Sequence, residues 1–167
     1  RIEALPSKVI MDGFVVACRR FIMLSFALTL FAAANAQGLE FGVSAYPAAP
    51  AVTAHVGVPL FEARDIEHQA RASVSYAFEG LPALGVTYIL RDAGHTFLGT
   101  YLGAGVGISF PSEPLTSLLL SGHFLAGMST DITGGLSAFT EVAVAGNSLG
   151  SNLSLGLGFT YTLGGSK

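Results

Sequence analysis

From Leu39 to Leu163, apolar and polar residues alternate one by one in eight segments parted by turn signals, with no helical period between them. A period of two belongs to strands whose two faces meet different surroundings. In the first segment Leu39, Phe41, Val43 and Ala45 alternate with Glu40, Gly42, Ser44 and Tyr46. In the last, Leu153, Leu155, Leu157, Phe159, Tyr161 and Leu163 alternate with Asn152, Ser154, Gly156, Gly158, Thr160 and Thr162. Six more segments carry the pattern: Val52–Val58, Arg71–Phe78, Leu84–Arg91, Leu98–Phe110, Ser117–Met128 and Leu136–Val144, the sixth of the eight blurred by Leu119 and Leu125. Pro and Gly clusters fall at 47–50, 79–82, 91–94, 111–114, 130–135 and 146–150, where they mark turns. The pattern predicts an all-β fold, an antiparallel up-and-down barrel of eight strands.

Alternation alone does not say which face points inward. A soluble, lipocalin-like barrel buries the apolar face, whereas a transmembrane barrel turns it to lipid. Three features favour the second. The apolar face holds no charged residue, and a Lys or Arg there near mid-membrane would cost about 2–4 kcal/mol. The other face is largely Gly, Ser, Thr and Ala, which suits the narrow interior of an eight-stranded barrel. It would make a poor solvent face, because Gly weakens strands and brings no charge. With both termini on the periplasmic side, Phe41, Phe159 and Tyr161 lie low and Tyr76, Phe78 and Phe110 high, as two interfacial girdles; Tyr88 and Phe124 fall nearer the middle. Charged residues make up only 11% of the chain, against about 25% in ordinary soluble domains. The net charge is −3 and no basic patch is present, which argues against nucleic acid as a partner.

Ahead of the barrel, Arg19 and Arg20 precede the apolar run Phe21–Ala33, and Ala34-Asn35-Ala36 then forms a small-x-small site before Gln37. This is the order of a secretory signal peptide, cleaved after Ala36. The thirteen apolar-run residues fall short of the roughly 20 that span a bilayer. Residues 1–18 do not fit a signal peptide and read as an extension upstream of the true start, which Met11 or Met23 could supply. The chain then divides into 1–18, a signal peptide at 19–36 and a barrel at 37–167. Val15-Val16-Ala17-Cys18 resembles a lipoprotein processing site, but Asp12 interrupts the run before it. Cys18 is the single cysteine, so no intramolecular disulfide forms.

Residues 38–163 resemble the small eight-stranded outer-membrane barrels of Gram-negative-type bacteria, such as the membrane domain of outer membrane protein A. Gly156, Phe159 and Tyr161 fit the glycine-x-x-hydrophobic-x-aromatic assembly signal of that class. The resemblance implies residence in the outer membrane, outer-membrane lipid as the surrounding partner, and insertion by the barrel-assembly machinery.

No motif points to catalysis or to a cofactor. Gly103-Ala104-Gly105-Val106-Gly107 looks like part of a nucleotide loop, but its glycines fall on one strand face with no following helix. His55, His68, His95 and His123 show no metal-ligand spacing, and read as lumen or loop residues. Asn152-Leu153-Ser154 matches a glycosylation acceptor but sits within a strand. The inward face does carry Glu40, His55, Arg71, Arg91, His123 and Glu141, and buried charges must be paired. Glu40, Arg71 and Arg91 fall near the same strand ends, so the arginines are expected to reach Glu40. A three-residue turn centred on Ile132 would place His123 opposite Glu141. The function expected is a structural or interaction role with a filled lumen and short loops. The alternative is a narrow pore or a carrier of a small apolar ligand, using space left by the glycine stripes of the fifth and eighth segments. A lipid-modifying enzyme would need polar groups clustered at a rim, and none cluster there in the sequence.

Overall fold

The computed structural model describes residues 38–47, 51–77, 82–92, 98–109, 119–148 and 150–164. The signal peptide with its cleavage residues Ala34, Ala36 and Gln37, the extension at 1–18, His95, and the girdle residues Phe78 and Phe110 lie outside them. Eight strands follow in order: β1 Leu39–Tyr46, β2 Ala51–Ala63, β3 Ile66–Ala77, β4 Ala83–Asp92, β5 Gly99–Ser109, β6 Leu119–Thr133, β7 Leu136–Asn147 and β8 Gly150–Leu163. Each pairs antiparallel with its neighbour in sequence, and β8 pairs with β1 through Phe41 opposite Tyr161 and Val43 opposite Phe159, which closes the barrel. Closure leaves no open edge along the paired wall.

The wall is inverted relative to a soluble protein. Leu102, Val106, Leu120, Phe124, Leu153 and Phe159 all face outward and are exposed, Phe124 to 70%. Among the described residues, nine polar or charged side chains are buried against five hydrophobic ones. That is the arrangement of a barrel whose outside meets hydrocarbon, and a lipocalin-like interior is excluded. Leu39, counted with the outward face from its spacing, is instead buried.

Strands run past the expected stops at two hairpins. β2 continues through Pro59, past the last β1–β2 pair of Glu40 with Gly57; Pro59 still pairs with Gln69 of β3, and a register irregularity follows between Pro59 and Phe61, a place where a strand tolerates proline. The β2–β3 hairpin then turns at Arg64 and Asp65, with φ of 54° and 63°. Two positive φ values in succession are the primed turn that hairpins favour, here made without glycine and so without a sequence signal. β6 runs to Thr133, and its hairpin turns at Gly134 and Gly135, with φ of 52° and 87°. An irregularity between Asp131 and Thr133 adjusts the register, and the Ser137 hydroxyl donates to Asp131 Oδ1 at 2.7 Å just beyond the turn.

That hairpin corrects the expected His123–Glu141 pairing. Glu141 lies opposite Gly127, and His123 opposite Ala145. The turn is two residues at 134–135 and not three around Ile132, so the register moves by four. An even shift keeps every residue on its face while changing its neighbour.

Candidate functional site

Among the described residues, charge, burial and space coincide in the lumen. In the half nearer the start of β1 and the end of β8, Arg91 Nη1 lies 2.8 Å from Glu40 Oε2 and Arg71 Nη2 3.5 Å from Glu40 Oε1. Arg71 Nη1 lies 3.4 Å from Glu141 Oε2. The result is an alternating chain, Arg91–Glu40–Arg71–Glu141, with no net charge. Glu141 is further tied by the Tyr101 hydroxyl, which donates to Oε2 at 2.9 Å, and by the Tyr46 hydroxyl, which donates to Oε1. Both guanidinium groups lie over the Tyr101 ring, at 5.5 and 5.9 Å from its centroid, within the range of cation–π attraction. His55 Nε2 is 3.8 Å from Glu40 Oε1, and its ring packs edge-on against Phe139 at 5.7 Å.

Of the six inward residues singled out from the sequence, the structure brings Glu40, Arg71, Arg91, His55 and Glu141 into one cluster. His123 joins Thr87 instead, with Thr87 Oγ1 and His123 Nε2 at 2.7 Å. Sequence reasoning passed over Tyr46, Tyr101 and Gln69. Each alternates onto the inward face, and a tyrosine on a face otherwise built of small residues was the available signal.

Apolar side chains complete the seal. Ile89, Tyr101, Leu125 and Phe139 form a buried cluster across β4 to β7. They fit because glycines stand opposite them. A Cβ built on Gly103 would meet Ile89 Cδ1 at 2.7 Å and Leu125 at 3.0 Å, and one on Gly156 would meet the Tyr46 ring at 2.6 Å. His123 covers Gly105, and Phe139 covers Gly158, in the same way. At Gly103, Gly105, Gly156 and Gly158 the glycine stripes of β5 and β8 are therefore filled by neighbouring strands.

The far half of the lumen is not filled. A cavity of about 560 Å³ lies there, with Arg71, His55 and Glu141 along its inner end. The expectation of a filled lumen therefore meets packed side chains in the half nearer the start of β1 and open space in the other.

One histidine leaves the lumen altogether. His68 sits on the outer wall, where its Nδ1 is hydrogen-bonded to the Tyr88 hydroxyl and its ring stacks on Phe61 at 4.2 Å. Among the described residues no group of His, Cys, Asp and Glu is arranged to hold a metal ion.

No protein-family model and no curated protein matches the chain. Solved structures match in fold. The N-terminal β-barrel domain of OprF from Pseudomonas aeruginosa superposes with a TM-score of 0.53 at 16% identity, over 75% of this chain and 96% of that one. A designed transmembrane β-barrel gives 0.51 at 13% identity, over 77% of this chain and 98% of that one. The outer membrane enzyme PagL overlaps at a TM-score of 0.43 and 16% identity, over 74% of this chain and 98% of that one, an overlap too low to bear on activity. The fold is thus that of small eight-stranded transmembrane barrels.

Proposed function

We propose that this chain is a non-enzymatic structural or interaction protein of a bacterial outer membrane, exported with a signal peptide cleaved after Ala36. The observation that carries this reading is the inverted wall: a continuous apolar exterior around an interior of paired charges. Such an exterior is stable only against lipid. Both barrel termini and the two-residue turns at 64–65 and 134–135 lie at one end, which suits the periplasmic side, where turns are short. The charge chain and the Ile89–Tyr101–Leu125–Phe139 cluster support a barrier and disfavour a diffusion pore. Among the described residues the charged groups cluster deep in the lumen, which supports a structural reading over a lipid-modifying one.

Cell fractionation followed by heated and unheated gels tests the reading. The protein is expected in the outer-membrane fraction, with a band that shifts on heating. Recovery from the soluble periplasm without a heat-dependent shift would overturn it.

A further inference from the structure

We infer that the far half of the lumen is a blind binding cup for a small neutral polyhydroxylated molecule, a sugar or sugar alcohol. This adds a task to the proposed scaffold and starts from the space inside it. The cavity of about 560 Å³ lies within the roughly 300–1,000 Å³ usual for small-molecule sites. All eight strands contribute inward residues to it. Small residues are kept where the rest of the lumen is plugged: Ala51, Ala143 and Ala145 line the cup, whereas the glycines of the other half are covered by rings and branched chains from neighbouring strands.

The chemistry of the lining selects the ligand. Thr53, Ser73, Ser75, Ser121 and Ser154 supply hydroxyls, and Asn152 an amide; all of these both donate and accept. The guanidinium and carboxylate at the inner end, Arg71 and Glu141, are already paired at 3.4 Å. The cup therefore offers hydrogen bonds without net charge, which suits a neutral polyol better than an ion. An acyl chain could use none of these donors and acceptors, whereas a polyol can bond to several at once, which favours the polyol over an apolar ligand.

Beneath the cup, His55 and Arg71 are held in side chains only 2% and 5% exposed, against Glu40 and Glu141. The seal beneath them makes the cup a place to bind and not a passage.

Saturation-transfer NMR on the barrel in phosphatidylcholine nanodiscs, free of sugar-headed detergent, tests this with glucose and sucrose as probes and gluconate as the charged control. Transfer to the ring protons of at least one sugar is expected, and its loss in Ala145→Phe, which fills the cup. The Thr53→Val/Ser75→Ala double variant removes a mutually bonded hydroxyl pair, 2.8 Å apart, leaves the volume, and is expected to weaken binding roughly fivefold, the worth of one neutral hydrogen bond. Should Ala145→Phe fail to show the heat-modifiable band, the double variant decides alone. No transfer from either sugar, or transfer undiminished in a folded cup variant, would overturn the site. Equal transfer to gluconate would overturn the neutral class of ligand.

Discussion

Glu40 is the residue on which the lumen network turns, and removing its charge tests the account of the barrel interior. Its side chain is 2% exposed and holds Arg91 at 2.8 Å and Arg71 at 3.5 Å. At an effective dielectric of 20 the closer pair is worth about 6 kcal/mol of Coulomb energy, most of it offset by desolvation of both ions. The measurable quantity is the cost of stranding one partner, about 3–5 kcal/mol for a buried pair. Arg71 keeps Glu141, so the burden falls on Arg91. Arg91 retains 20% side-chain exposure, which puts Glu40→Gln near the low end, about 3 kcal/mol, a factor of about 150 in the folding equilibrium. Arg91→Gln leaves Glu40 with Arg71 and is expected to cost less, about 1–2 kcal/mol. The double variant strands no charge, so its cost should fall below the sum of the singles by about 2 kcal/mol. Urea titration in phosphatidylcholine vesicles, read by the folded band on unheated gels, gives these values; the chain has no Trp, so indole fluorescence is no substitute. Glu40→Gln as stable as wild type, or a double variant at the full sum of the singles, would refute the reasoning.

Other outcomes follow from the same structure. Gly158→Ala puts a Cβ against the Val43 carbonyl and the Phe139 ring, and the same titration should register a loss of about 1–3 kcal/mol; no loss would mean that the ring does not pack on the glycine. Leu157→Arg, at an exposed outward position midway along β8, should lose about 2–4 kcal/mol of folding in bilayers, and unimpaired folding would reverse the assigned orientation. In planar bilayers the wild-type protein should give no steady open conductance, since Ile89, Tyr101, Leu125 and Phe139 close the interior; a stable open channel would contradict the seal. Intact mass of the exported protein should match a chain beginning at Gln37, and a lipid adduct on Cys18 would contradict that processing.

The alternation of residues from Leu39 to Leu163 was enough to determine the class of fold, the number of strands and the two faces, because side chains on a strand switch sides at every step whatever the partner. It also determined that Glu40, Arg71 and Glu141 share one face. It did not determine who meets whom. The alternation of the second segment ends at Val58, yet the strand continues through Pro59 because β3 still pairs with it, through Gln69. Arg64-Asp65 carries no glycine, yet adopts two positive φ values because closure of the hairpin requires them. One residue more or less in a turn moves every pairing beyond it, which is why Glu141 meets Arg71, seventy positions away in sequence, and not His123. The division of the lumen into a sealed half and an open one likewise belongs to the tertiary structure. A glycine in the sequence reads as empty space, and only the neighbouring strand decides whether a ring from across the ladder fills it.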